Sequence, residues 1–208
     1  LLWLACTPAA LTPQGPATSA PSQPPTGSTP EPRLETSTGA DAGNVLLLIL
    51  DDVGKDAIGC YPGAAMDVRT PVIDALAKCG VRFDRAWSNP ACSPTRATLL
   101  TGRFGFRTGV GSVKALAAGG LQPEELTIAE TLRERRPEIR TAFLGKWHLG
   151  PTEDQGPAAQ GFERFRGTSG NLREKSGANA YFDFKERTGL SVETSSRRRY
   201  ATSAVVDD

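Results

Sequence analysis

The chain changes character at residue 44, where Asn44-Val45-Leu46-Leu47-Leu48-Ile49-Leu50-Asp51-Asp52 forms a continuous apolar run closed by two acids. Without alternation, such a run suits a strand covered on both faces, as in the parallel sheet of an α/β fold. Thr70-Pro71 offers an N-cap and a proline for the first helical turn, and Gly80 a stop, which predicts a helix over 71–79. Residues 81–87 suit a second strand. Ile128 and Leu132 mark a helix over 127–135, and 140–144 suit a further strand. This order predicts a doubly wound α/β domain, a central, mostly parallel sheet sandwiched by helices. Ligands of open sheets bind beyond the carboxyl ends of the strands. The chemistry is expected there.

Upstream the material is different. Residues 7–43 are Pro, Thr, Ser, Gly and Ala with almost no large apolar side chains, and hold eight of the sixteen prolines. Such a segment cannot bury enough surface to offset its ordering entropy, so it reads as a disordered tether. Leu1-Leu2-Trp3-Leu4-Ala5-Cys6 reads as the end of a secretory h-region. It resembles a bacterial lipobox, with Trp3 where Leu is usual; an ordinary signal peptide and a plain apolar segment stay open. Export as a periplasmic or cell-surface lipoprotein of a bacterium is therefore expected, with membrane attachment only through a lipid on Cys6. No stretch reaches the ~20 apolar residues of a spanning helix.

Composition adds little beyond one exclusion. With 24 Lys+Arg against 23 Asp+Glu among 208 residues, the charge balance gives no electrostatic reason for the concentrated basic face that nucleic acid normally needs, and a nucleic-acid partner is not expected.

Three constellations carry candidate chemistry. Asp51 and Asp52 end the first expected strand. Adjacent carboxylates repel unless a cation neutralises them, and hard oxygen ligands favour calcium or magnesium. Taken alone, the pair reads first as a turn and cap. Next, Cys92-Ser93-Pro94-Thr95-Arg96 opens an expected helix that ends at Gly102, which puts Cys92 at or just before the helix N-terminus. Exposed N–H groups there favour a thiolate or an oxyanion, and Arg96 carries a fork suited to a tetrahedral oxyanion ester. Finally, Lys146 and His148 stand two residues apart after an expected strand, where an extended segment aims both at one face. Lys146 suits an anion and His148 can move a proton near neutral pH. Cys60 and Cys79 read as a disulfide or as two small buried thiols. Trp87 and Trp147 read as packing residues near the site.

Taken together these motifs resemble the type I sulfatases of the alkaline-phosphatase-like superfamily. Cys92-Ser93-Pro94-Thr95-Arg96, continuing to Leu100-Thr101-Gly102-Arg103, is similar to the family signature Cys-x-Pro-x-Arg. Gly145-Lys146-Trp147-His148-Leu149-Gly150 is similar to its second signature. Asn44 to Asp52, Gly80-Val81-Arg82-Phe83 and Gly161-Phe162-Glu163 fit the surrounding pattern, so the resemblance covers nearly all of 44–208, read as the N-terminal portion of the catalytic domain.

The resemblance implies sulfate-ester hydrolysis. Cys92 would be oxidised to formylglycine by a formylglycine-generating enzyme that reads the unfolded segment. One hydroxyl of its geminal diol would attack sulfur, and loss of the other proton would re-form the aldehyde and expel sulfate. Asp51 and Asp52, with the modified Cys92, would ligate one calcium ion. Arg96 would hold the diol, Lys146 a sulfate oxygen, and His148 the second hydroxyl. The family also uses a second His, further metal ligands and another Lys. The chain has one His, and residues 200–208 resemble the lead-in to a helix that precedes those groups. Both ends are therefore expected to be cut, and these residues alone are expected to be inactive.

Three other readings stand beside it. A phosphonate monoester or phosphodiester hydrolase of the same superfamily shares the motif. A thiol phosphatase would need Arg six residues after Cys, where Thr98 stands. A surface-tethered binding protein that lost turnover would have little reason to keep Cys92, Arg96, Lys146 and His148.

Overall fold

The computed structural model describes residues 43–65, 67–151, 156–172, 183–188 and 191–196. Expectations for 1–42 and 200–208 lie outside the described residues. The chain divides into two units, Leu1–Trp87 and Ser88–Asp208. Among the described residues no helix is long and apolar enough to cross a membrane.

In the first unit, helix α1 spans Pro71–Cys79, where the Thr70-Pro71 start and Gly80 stop placed it. Thr70 works differently from the expected cap. Its Oγ1 accepts from the Gly59 N–H at 2.8 Å and donates to Asp74 Oδ1 at 2.8 Å, tying the first turn of the helix to the preceding loop.

The two strands expected in this unit do not form. Along 45–50 burial alternates, with Leu47 and Ile49 half-buried while Leu46 and Leu48 are 75% and 55% exposed. A central strand needs ladder partners on both edges and a layer on each face. The sequence of the run cannot supply either. Over 81–87 the cause is local: Arg82 donates to Asp84 Oδ1 at 2.9 Å and to the Cys60 carbonyl at 2.6 Å, and a turn follows at 84–85. The Arg82 guanidinium also lies 5.6 Å from the Tyr61 ring centroid. Burial, then the nearby Cys60 and Asp84, push the Tyr61 phenol upward against the opposing Arg82.

The second unit is organised around helix α2, Cys92–Thr101. Its buried residues Ser93, Arg96, Ala97 and Leu100 recur at the spacing of one helical face. The chain leaves α2 at Gly102 in the left-handed conformation, the usual glycine exit. Short helix α3, Gly105–Thr108, follows, then α4, Ile128–Arg135. Helix α4 opens with a capping box: Thr127 Oγ1 accepts from Glu130 N–H and the Glu130 carboxylate accepts from Thr127 N–H. Thr127 Oγ1 also donates to the Gln160 carbonyl at 2.8 Å.

Four strands make one sheet in sequence order: β1 Ala142–Lys146, β2 Arg164–Thr168, β3 Asp183–Thr188 and β4 Ser191–Ser196. The expected strand at 140–144 is thus present, two residues later. The described sheet is mixed: β1 and β2 are parallel, and the β2–β3 and β3–β4 pairs are antiparallel.

Beneath it Phe143 meets Trp147 and Phe162 edge-on, each at 5.3 Å between centroids, a geometry aromatic pairs prefer. Trp147, Leu121 and Leu149 are fully buried in this core. Trp147 is a packing residue, as expected, whereas Trp87 is 91% exposed.

One strand pair requires a glycine. Gly145 and Gly167 are paired across β1 and β2, and a Cβ on Gly167 would lie 1.9 Å from the Gly145 carbonyl oxygen, at φ +154. Gly167→Ala should lower the unfolding free energy of the intact protein by about 2–4 kcal/mol. Urea unfolding checks this, and an unchanged midpoint would show that the strands part without cost.

Candidate active site

The end of β1 and the start of α2 meet in the second unit, and each is fixed by its own sequence. Ala91 precedes α2 in extended conformation and offers no side-chain cap. Asn89 anchors the helix start in another way, as a donor. Its Nδ2 donates to the Pro94 carbonyl at 3.2 Å and to Thr98 Oγ1 at 3.1 Å, while Thr95 Oγ1 donates to the Ala91 carbonyl at 2.8 Å. The segment before Cys92 is thereby latched to the first two turns. Cys92 is the first helical residue and half-buried; Ser93, Pro94 and Arg96 behind it are buried.

Beyond β1 the ladder continues past its last strand residue. The Trp147 N–H donates to the Thr168 carbonyl and the His148 N–H to the Ser169 carbonyl, both at 2.9 Å. His148 has φ +57, a left-handed conformation that a non-glycine residue holds only when its surroundings impose it. The buried neighbours Trp147 and Leu149 impose it here. From the opposite side the Leu121 N–H donates to the Leu149 carbonyl at 2.7 Å. The backbone can come that close because Gly120, at φ +79, has no Cβ; one would lie 2.2 Å from the Leu149 oxygen. The expected extended alternation between Lys146 and His148 is therefore corrected, since the left-handed turn at His148 breaks it.

This turn delivers the imidazole to the helix start. Cys92 Sγ and His148 Nδ1 share a hydrogen bond at 3.1 Å. Arg96, 6% exposed, donates from its guanidinium to the Lys146 carbonyl, bonding α2 to the end of β1. It is the Lys146 carbonyl that Arg96 engages. The two sequence signatures thus meet at two contacts, the Cys92 thiol with the His148 ring and the Arg96 guanidinium with the Lys146 carbonyl.

Two residues near His148 were not anticipated. A cavity of about 290 Å³ is lined by His148, Leu116, Pro151, Ser169 and Arg187, with Gly150 and Gly170. Ser169 lies just past β2, and Arg187 is on β3 opposite Gly167. No motif marks either residue. Their place follows from strand pairing between distant segments.

Asp51 and Asp52 lie in the first unit, at an exposed turn in which Asp52 has φ +57. Two adjacent carboxylates are the right donors for a hard cation such as calcium, which takes ~6–8 oxygen ligands. Among the described residues no group of three or more His, Cys, Asp and Glu side chains is placed to hold a metal ion. The donor chemistry fits a hard cation, for which the pair would supply part of a shell. Cys60 and Cys79 are free thiols, Cys60 half-buried and Cys79 exposed. The disulfide reading and the buried-pair reading are thereby both corrected.

A family model described as Sulfatase matches residues 43–203. The chain is 38% identical over 155 residues to the steryl-sulfatase of Rattus norvegicus, covering 67% of this chain and 26% of that protein. It is 40% identical over 129 residues to arylsulfatase A of Homo sapiens, covering 60% of this chain and 25% of that protein. The chain spans about a quarter of the length of these curated relatives. Two solved structures are also similar. BT4656 in complex with its substrate D-glucosamine-2-N,6-O-disulfate gives a TM-score of 0.57 at 27% identity, over 76% of this chain and 28% of that one. Ps i-CgsB gives 0.54 at 28% identity, over 74% of this chain and 37% of that one.

Proposed function

The chain belongs to the sulfatase family, and from that premise we propose that the protein hydrolyses sulfate esters through a formylglycine formed at Cys92. The observation that carries the reading is the 3.1 Å contact between Cys92 Sγ and His148 Nδ1 at the start of α2. The thiol sulfur stands where the oxygens of a hydrated formylglycine would be.

With that residue as a geminal diol, one hydroxyl attacks sulfur and the S–O bond to the alcohol breaks, the alcohol leaving with a proton. The second hydroxyl then gives its proton to His148 Nδ1, the C=O bond re-forms, and sulfate departs. A diol is needed because the second hydroxyl makes release of sulfate an elimination rather than a second hydrolysis. Arg96, held behind the helix start, favours the negative charge that builds on these oxygens, and the Lys146 ammonium would neutralise a sulfate oxygen. A calcium ion held by Asp51 and Asp52 would supply Lewis-acid polarisation of the sulfate.

The folded geometry also supports early maturation. Ser93, Pro94 and Arg96 are buried, so an enzyme that reads Cys92-Ser93-Pro94-Thr95-Arg96 must meet the segment before the fold closes over it. Export, with attachment by a lipid on Cys6, would place the enzyme where sulfate esters are met outside the cytoplasm. Its relatives include a steryl-sulfatase and an arylsulfatase, and the similar solved structure holds its substrate D-glucosamine-2-N,6-O-disulfate. Their shared chemistry, the sulfate ester, is what we carry to this chain.

The test is direct. Mass spectrometry of tryptic peptide 86–96 from protein made in its native host should show an aldehyde or its hydrate in place of the thiol, and persistent thiol would overturn the reading. Side-by-side assays should show the intact protein preferring a sulfate monoester to a phosphodiester. The reverse preference would favour the phosphonate and phosphodiester hydrolases of the superfamily.

A further inference from the structure

The turn that carries His148 is held from three sides. Along one, the Trp147 and His148 N–H groups donate to carbonyls at the end of β2. On a second, Trp147 and Leu149 are fully buried in the core. The third side is Gly119-Gly120-Leu121, a segment that belongs to neither signature.

That segment is seated as firmly as the turn. Leu121 is fully buried in the same core as Leu149, and its N–H donates to the Leu149 carbonyl at 2.7 Å. A Cβ on Gly120 would lie 2.7 Å from Gly150 Cα and closer still to the Leu149 carbonyl oxygen. Both neighbours are backbone, which cannot swing aside as the tip of a side chain can. A side chain here must therefore push residues 149 and 150, and the adjoining His148 with them. Gly120 also sits at φ +79, a conformation that glycine holds without steric cost.

We infer that Gly120 is a positioning residue for the reaction: it lets two backbones close to hydrogen-bonding distance and so fixes the turn that holds His148 Nδ1 at residue 92. The inference rests on the sulfatase reading above, in which His148 takes the proton of the second hydroxyl after the alcohol has left. Gly120 touches neither the substrate nor the reacting atoms. A base displaced by about 1 Å can cost ~10²-fold. That loss falls on the release of sulfate and spares cleavage of the ester.

The test uses the intact, matured protein and a chromogenic aryl sulfate. Gly120→Ala should lower kcat about ten- to a hundredfold while kcat/KM stays within about threefold, because slowing a step after ester cleavage lowers KM along with kcat. A burst of about one equivalent of alcohol should precede the slow turnover. In a His148→Ala background the same change should alter kcat by less than about threefold, since two changes that act through one group are not additive. Gly109→Ala is the control: Gly109 has φ +75 with open space where a Cβ would go, so it carries the backbone strain without the push and should keep wild-type kinetics. Unchanged kcat in Gly120→Ala, a loss shared equally by kcat and kcat/KM, or a loss that recurs undiminished beside His148→Ala would overturn the inference. Should Gly120→Ala not fold, Leu121→Val loosens the same segment and takes its place in the cycle, with the same outcomes.

If wild type turns over no sulfate ester, the sulfatase reading fails separately, and the placement of His148 is read by nuclear magnetic resonance. The same measurement decides where the His148→Ala background is too slow to assay. In intact protein with Cys92 left as the thiol, Cys92→Ala should move the Nδ1 signal of His148, identified by its loss in His148→Gln. In Gly120→Ala the same change should move that signal less than about a third as far. A larger movement there, or none in wild type, would overturn the inference.

Discussion

Cys92→Ala should lower sulfate-ester turnover by the intact protein at least ~10⁴-fold, because it removes the carbon–heteroatom group from which the nucleophile is made and leaves nothing at that position able to attack sulfur. The loss should fall on kcat, since Arg96 and Lys146 remain to bind the sulfate. Stability should change little. Cys92 is half-buried at the first position of α2, its backbone is latched by Asn89 and Thr95, and alanine is a good helix former. Steady-state kinetics with a chromogenic aryl sulfate, beside a thermal melt, checks both halves. Turnover within tenfold of wild type would remove residue 92 from the chemistry and leave the contact with His148 as packing.

The elements that were legible in the sequence are those whose signals are local. Helix α1 begins at Pro71 and stops at Gly80, α2 ends where Gly102 turns left-handed, and α4 follows the spacing of Ile128 and Leu132. Each signal lies within four residues of the boundary that it sets. Strands lack that property, and of the three expected only the one at 140–144 is present, as β1. The run 44–50 has strand composition, yet a ladder needs partners that its own residues cannot name. The opposite failure occurred at β2, where Arg164-Phe165-Arg166-Gly167-Thr168 carries too much charge and glycine to read as a strand, and pairing with β1 overrides that composition.

The same division runs through the candidate site. Cys92, Arg96, Lys146 and His148 were found because two short motifs hold them, and the fold brings the Cys92 thiol to the imidazole at 3.1 Å. The left-handed backbone at His148 was not legible, because it follows from the fit of Trp147 and Leu149 into the core and from the approach of Gly120. Ser169 and Arg187 belong to the surroundings of the site only through β2 and β3. Periodicity along one segment carries no information about which other segment lies beside it.

Asp51→Asn and Asp52→Asn should each weaken calcium binding by the intact protein on the order of ten- to a hundredfold, with turnover falling in parallel at limiting calcium. Each change exchanges a charged hard oxygen for a neutral one at nearly constant shape. The choice of asparagine matters most at residue 52, whose φ of +57 is a conformation that Asn and Asp tolerate better than other side chains. The backbone turn is therefore retained, and a lost function can be attributed to charge. Both residues are exposed, so neither change opens a cavity, and the unfolding midpoint should stay close to that of wild type. Raising calcium should restore much of the turnover if the ion is weakened rather than abolished. Calcium titration by calorimetry, followed by kinetics across the same concentrations, separates the outcomes. If both variants bind calcium as wild type does, the paired carboxylates serve only as the turn that follows residues 44–50, and the metal ligands lie elsewhere.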